Sequence, residues 1–340
     1  MSILHSPISL RSLKLKNRLV LPPMATAKCG DSGAVTDALC EYYDEKTKGG
    51  MIGLVITEHC FISPEGKAGA GQMSIASDDL VPGLKKLTDV IHANGSPVIA
   101  QINHAGISAK SEITGLPVIG PSSVPHPTRP AADVLPVEMT LEDIERVKEA
   151  FVKAALRAKE AGFDGVEIHS AHSYLLNQFY SPLTNRRTDT YGGSLENRIR
   201  LHLEIIEAVR EAVGKSYIIA IRLGGCDYME GGSTIEEAAA ACKAFALAGA
   251  DLLDISGGFC SYRHPTSTEP GYFKDMTLAV KKACPKTPVI LTGGITTGEQ
   301  AEALLQEYVA DMIGVGRAIL QDSDWAFKNL KFLDGPGYHG

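Results

Sequence analysis

TLEDIERVKEAFVKAALRAKEAGFDGVEIH, residues Thr140 to His169, reads as one helix handing over to one strand. Thr140-Leu141-Glu142-Asp143 resembles a capping box, and Gly162 stands where a helix stops, so the spacing predicts a helix over Thr140–Ala161. Gly165–His169 is short and nearly all apolar, as suits a parallel strand covered on both faces. The same unit repeats outward in both directions. Strand-like runs occur at Arg18–Leu21, Gly53–Thr57, Val98–Ile102, Gly165–His169, Ile218–Leu223, Leu252–Ser256, Val289–Thr292 and Met312–Val315. Helical patterns follow them at Asp37–Thr47, Asp79–Ala93, Thr140–Ala161, Ser194–Val213, Thr234–Leu247, Asp275–Ala283 and Thr297–Glu307. This alternation predicts an α/β fold of the (β/α)8 TIM-barrel type with long loops at its C-terminal face. A doubly wound sheet would carry a glycine fingerprint after its first strand, where this chain has Pro22-Pro23-Met24.

Two stretches break the alternation. Gly106–Val137 holds Pro117, Pro121, Pro125, Pro127, Pro130 and Pro136, too many for a helix. It is expected to be a long excursion after strand 3, with a hairpin, over a barrel mouth. Ser181–Gly193 is expected to be a second loop, after strand 4. No linker, repeat or charge block marks another domain, so residues 1–340 are expected to form one domain, with the barrel at about 15–330.

Composition excludes several classes. The 340 residues carry 33 Lys plus Arg against 40 Asp plus Glu, a net charge of −7. Without a basic stretch the chain is a poor partner for nucleic acid. The seven cysteines are dispersed, with no CxxC pair, as expected of reduced thiols in a cytoplasmic protein. The N-terminus lacks a signal-peptide pattern, and the longest apolar stretch, Ala238 to Ala250, is too short to cross a membrane.

In such a barrel the chemistry sits at the C-terminal ends of the strands. Strand 1 leads into Pro22-Pro23-Met24-Ala25, strand 2 into Glu58-His59, and strand 3 into Gln101-Ile102-Asn103-His104. Strand 4 ends at His169, with His172 and Tyr174 just beyond, and strand 5 carries Arg222. Small residues gather after strands 6 to 8, at Gly257-Gly258, Gly293-Gly294 and Gly314-Val315-Gly316-Arg317. Barrels often hold phosphate after strands 7 and 8, where glycine lets backbone N–H groups approach an anion. Gly294, Gly316 and Arg317 are thus candidates for a phosphate site. Gly214-Lys215-Ser216 resembles the end of a P-loop, but Val209 stands where its first glycine belongs. His169 and His172 are open to a metal reading, with Glu58, His59, His104 or Glu167 as a third ligand. Gln101, Arg222 and the phosphate candidates favour an organic, anionic cofactor instead, with no metal.

His169 to Arg198, HSAHSYLLNQFYSPLTNRRTDTYGGSLENR, closely resembles the signature of the Old Yellow Enzyme family, the NADH:flavin oxidoreductases. Asn17 to Met24, Gln101 to Gly106 and Gly314 to Arg317 resemble that family's motifs in order and spacing, and the likeness runs from about residue 3 to 330. The resemblance implies a barrel that binds FMN tightly without a covalent link and is reduced by NADH or NADPH. It implies ping-pong turnover, with the C=C bond of an enone or enal as the small-molecule acceptor. Pro22, Pro23, Met24 and Ala25 would lie along the flavin, with His59 near it. Gln101 would meet its pyrimidine, Arg222 its N1 and O2, and Gly294, Gly316 and Arg317 its phosphate. His169 and His172 would donate to the substrate carbonyl, and Tyr174 would deliver a proton to the α-carbon.

This sequence departs from the family pattern in three places. One branch has Cys at the position of Ala25, and that branch's following Tyr has no counterpart among Thr26, Ala27 and Lys28. Longer members carry a four-Cys iron–sulfur motif after the barrel, and no Cys follows Cys284 here. A single-domain flavoenzyme without a cluster is therefore expected. The alternatives are a related flavoenzyme acting on a dienoyl thioester, a steroid-like enone or an amine, a flavin-binding protein without useful turnover, and a metal-dependent hydrolase using His169 and His172. Homo-oligomer formation is compatible with the sequence and not decided by it.

Overall fold

The computed structural model describes residues 2–129 and 135–333. Eight parallel strands close into a barrel: β1 Leu19–Leu21, β2 Leu54–Ile56, β3 Val98–Asn103, β4 Gly165–Ser170, β5 Ile218–Cys226, β6 Leu252–Gly257, β7 Val289–Thr292 and β8 Met312–Gly314. Each pairs with its neighbour in sequence, and β8 returns to β1 through Ile313↔Leu19 and Gly314↔Val20.

Strand alternation divides the core in two. Residues facing outward (Val98, Ala100 and Ile102 on β3, or Ile219, Ile221 and Leu223 on β5) belong to the shell packed against the helices. Val20, Leu54, Ile99, Ile218, Ala220, Leu252, Ile290 and Met312 form a separate apolar cluster inside the barrel. An antiparallel hairpin, Ile8–Leu10 with Leu13–Leu15, adds Leu10 and Leu15 to that interior cluster and so plugs the N-terminal end. Gly165 is small because a Cβ there would stand 2.6 Å from Ile218 Cβ and 3.0 Å from Ile99 Cγ2.

On β3 to β6 the inward face turns polar two residues further along. Ile99 gives way to Gln101, Gly165 to Glu167 and His169, Ala220 to Arg222, and Leu252 to Asp254. The registers Gln101↔Glu167, Arg222↔His169 and Arg222↔Asp254 set these groups side by side. The barrel is thus apolar at its N-terminal end and chemically equipped at the other.

The helices follow as the spacing predicts, with local differences. Thr140 and Asp143 form a reciprocal capping box at the start of Leu141–Glu160, as do Thr234 and Glu237 at Ile235–Ala248. The helix expected over Ser194–Val213 is broken into Leu195–Arg198 and Arg200–Val213. At the break, the buried Arg198 guanidinium turns back to the Tyr180 and Gly193 carbonyls and the Glu237 carboxylate. The hairpin expected within Gly106–Val137 is instead a two-residue parallel pairing, Ile119↔Val137 and Gly120↔Glu138. Part of that stretch, residues 130–134 with Pro130, lies outside the described residues. No helix among the described residues is long and apolar enough to cross a membrane.

Candidate active site

Strand β4 ends in a turn whose shape is fixed by its own sequence. His172 and Ser173 both adopt left-handed φ, 57° and 63°, which costs energy for residues with a Cβ. The surroundings hold that turn in place. Ser173 N–H donates to Asn177 Oδ1 (2.8 Å), and Ser173 O accepts from Gln178 Nε2 (2.6 Å) and Ser108 Oγ (2.8 Å). His172 N–H donates to Gly257 O (3.2 Å), and Leu175 N–H donates to His104 O (2.9 Å). Asn177 and Gln178 of the long motif therefore hold the turn, while its histidines and tyrosine are free for chemistry.

That turn gathers four rings. The His169 ring centroid lies 5.4 Å from His172 and 5.1 Å from Tyr174, and His59 lies 5.3 Å from Tyr174. His172 Nε2 is 2.7 Å from Ser256 Oγ, and Tyr174 Oη is 3.2 Å from His59 Nε2. Burial holds His169 and His172 well below the usual histidine range, and nearby charges including Arg222 act in the same direction. His59 is lowered to about 4, by burial and then by Arg222. Burial raises the Tyr174 phenol, with Arg129 opposing. The site at neutral pH thus holds neutral imidazoles and a protonated phenol.

Beside His169 and one step further into the barrel lie the polar groups. Gln101 Nε2 donates to Glu167 Oε2 (2.7 Å). Arg222 Nε is 3.1 Å from Asp254 Oδ2, but out of hydrogen-bonding alignment. Burial raises Glu167, the Asp254 charge raises it further, and burial raises Asp254 as well. His169 Nδ1, Glu167 Oε1 and both Asp254 carboxylate oxygens are buried without a hydrogen-bond partner.

Across the mouth, Gly316 lies against the end of β1, where a Cβ would come within 2.9 Å of Met24 Sδ and 3.3 Å of Pro22 Cγ. Among the described residues, the N–H groups of Gly294 and Gly316 donate to no protein acceptor. Arg317 Nη2 is 3.4 Å from Tyr272 Oη, which itself donates to Tyr262 O (2.6 Å). These residues fit the expected FMN. Free N–H groups and a cation suit its phosphate, and a buried guanidinium without an aligned acceptor suits an electron-rich ring edge.

The structure brings the four-ring cluster onto the Gln101–Arg222 layer, and sets Pro22 and Met24 against Gly316. Pro23 and Ala25 follow the β1 end in the same segment, with Ala25 exposed. Sequence reasoning missed Asp254, whose signal was an acid inside the apolar run Leu252–Ser256. It also missed Tyr272, and Lys110 and Arg129 at the mouth, which carry no local pattern. Among the described residues, no group of three or more His, Cys, Asp or Glu is arranged to hold a metal ion. Burial pushes the Cys29 thiol to about 12 and also raises Cys60, so both remain protonated at neutral pH.

A sequence model of the NADH:flavin oxidoreductase / NADH oxidase family matches residues 3–333. A metal reductase of Desulforamulus reducens is 41% identical over 327 residues, covering 95% of this chain and 48% of that protein. A structure of 2-naphthoyl-CoA reductase with 2-naphthoyl-CoA superposes with a TM-score of 0.91 at 32% identity, covering 97% of this chain and 52% of that one. An Old Yellow Enzyme homologue from Zymomonas mobilis superposes with a TM-score of 0.83 at 27% identity, covering 98% and 94%. The chain thus spans about half the length of the metal reductase and of the naphthoyl-CoA reductase.

Proposed function

The chain belongs to the NADH:flavin oxidoreductase / NADH oxidase family, that of the Old Yellow Enzymes, and on that premise we propose that it reduces activated C=C bonds. The cofactor is FMN and the reductant NADH or NADPH. The substrate class is α,β-unsaturated carbonyl compounds, enones and enals among them. One observation carries this reading: two neutral histidines and a protonated tyrosine share one turn, at the end of the strand whose His169 stands beside Arg222 and whose Glu167 stands beside Gln101.

Bound FMN supplies the hydride for the β-carbon. His169 and His172 bind the carbonyl oxygen as neutral donors and stabilise the negative charge that grows there, as an oxyanion hole does. That role requires the Ser256 hydroxyl to donate to His172 Nε2, which keeps the ring's one proton on Nδ1 for the carbonyl oxygen. Tyr174 gives its proton to the α-carbon. An Nε2–H on His59 then stabilises the phenolate that remains. Arg222 and Gln101 hold the flavin ring, and Gly294, Gly316 and Arg317 its phosphate.

The test is Tyr174→Phe in the FMN-loaded protein, followed by stopped-flow. Reduction by NAD(P)H should be retained and re-oxidation by a cyclohexenone slowed on the order of a hundredfold. Re-oxidation at the wild-type rate would assign the proton to another donor.

A further inference from the structure

The mouth above Tyr174 is a cavity of about 290 Å³ whose floor includes His172 and Tyr174 and whose wall carries Lys110 and Arg129. Both cations come from the excursion after β3. Arg129 is held in place, since its Nη2 donates to Ser108 Oγ (2.8 Å) and His126 Nε2 (2.7 Å). On the other side of the ring, Thr128 N–H donates to His126 Nδ1 (3.2 Å), so the imidazole against Arg129 is itself braced by the loop backbone. Burial and Arg129 together lower His126 to about 4, so the ring is uncharged at neutral pH. Ser108 also donates to Ser173 O, so one hydroxyl ties the guanidinium to the residue beside Tyr174.

Among the described residues neither Arg129 nor Lys110 has a carboxylate partner, and Nε and Nη1 of Arg129 have no acceptor. In the facing β6 loop, the Arg263 guanidinium lies 5.6 Å over the Tyr262 ring, which in turn lies 6.2 Å from His172. A chain of net charge −7 thus presents cations at the entrance to its site. A cationic cleft concentrates anions and gives charge-assisted hydrogen bonds to those it holds.

We infer that Lys110 and Arg129 form an anion subsite, which takes a carboxylate or phosphate carried by the molecule whose reacting end lies on Tyr174. This rests on the proposed reading of Tyr174 as the floor of the site. Two molecules could bring that anion: an unsaturated carbonyl substrate with an acidic arm, or the nicotinamide dinucleotide through its phosphates.

The experiment compares FMN-loaded wild type with Lys110→Gln, Arg129→Gln and the double variant, using two matched pairs. The first is a cyclohexenone with a short carboxylate arm and the methyl ester of the same compound. The second is NADH and 1-benzyl-1,4-dihydronicotinamide, which has the reacting ring without phosphates. Calorimetric Kd for the first pair and stopped-flow KM for both are the readouts. In the double variant the charged member of at least one pair should weaken about tenfold or more, with its neutral partner within about twofold. Loss on the first pair assigns the subsite to the substrate, and loss on the second to the reductant. Wild-type preference for that charged member should also fall as salt is raised. Arg129→Lys keeps the charge but not the fork, and should restore part of the preference.

Equal losses on charged and neutral members, or no loss on either pair, would overturn the subsite. If wild type reduces neither enone, the ene-reduction reading falls, while the nicotinamide pair still measures the subsite. If both enones are reduced and the double variant is indifferent to charge, the subsite falls and that reading stands.

Discussion

Tyr174 can act as an acid at neutral pH because burial opposes its ionisation, and the neutral histidines around it do not titrate there. The rate of flavin re-oxidation by an enone should therefore show no break near the usual histidine pKa of about 6.5 and should fall only above about pH 10. A step near neutrality would mean that one of the imidazoles changes charge during turnover. His59 is the nearest partner of the reacting hydroxyl. His59→Ala should keep FMN and its reduction by NAD(P)H and slow re-oxidation about tenfold, as loss of a hydrogen bond to a developing anion predicts. His59→Gln, with an amide donor, should recover part of that rate. If Ala and Gln behave alike, the histidine only fills space.

Glu167 is the clearest residue-scale stability test. Its carboxyl is raised in the folded protein, so folded chains bind more protons than unfolded ones once the pH exceeds the unfolded value of about 4.3. Stability from this group is therefore lost as pH rises from there toward the folded pKa. Glu167→Gln keeps the acceptor for Gln101 and removes the ionisation. Its Tm relative to wild type should rise by ~2 °C or more between about pH 5 and pH 8. A difference that stays flat or declines would show that Glu167 is ionised in the native barrel.

At the scale of elements, the loop after β4 and the excursion after β3 are one assembly. Arg187 is buried and donates from Nη1 to Pro121 O (3.0 Å) and Met139 O (2.6 Å), while its Nε and Nη2 engage Asp189. Arg186 N–H donates to Ser122 Oγ (2.9 Å). The wall bearing Lys110 and Arg129 is thus fastened to the turn bearing His172 and Tyr174. Arg187→Lys keeps the charge and loses the fork, leaving carbonyls underbonded. It should speed limited proteolysis between Gly115 and Glu138 and raise KM for enone, with FMN content unchanged. Unaltered cleavage would show that the excursion holds without this tie.

At the scale of the whole molecule, the strands were legible because period-two burial and near-continuous hydrophobicity are local properties. Thr140–His169 announced its own cap, helix and strand, and the structure differs there by single residues at the ends. The ring cluster was legible where one motif carries it, as His169, His172 and Tyr174 do. Contacts between distant segments were not. Ser256 lies 84 positions from His172 and His59 115 from Tyr174, and no spacing rule links them. The parallel pairing of Ile119 with Val137 was missed for a related reason: prolines exclude a helix but do not state how the two ends meet.

On the proposed reading, the same layout would make FMN a structural member of the barrel mouth. Its expected contacts come from the ends of β1, β3, β5, β7 and β8, so bound FMN would tie opposite sides of the mouth together. Among the described residues, Gly294 and Gly316 supply N–H groups that have no protein acceptor, and Arg222 supplies a buried charge without an aligned acceptor. A ligand that binds only the folded state adds RT ln(1 + [L]/Kd), about 2.7 kcal/mol at a hundredfold excess over Kd. Stripping FMN should therefore lower Tm by several degrees, and adding it back should raise Tm with the logarithm of its concentration. Riboflavin, which lacks the phosphate, should restore less. Arg317→Ala should narrow the gap between FMN and riboflavin, whereas Arg222→Ala should weaken both alike. If FMN and riboflavin stabilise wild type equally, the phosphate is not held at Gly294, Gly316 and Arg317, and the β7 and β8 ends have another purpose.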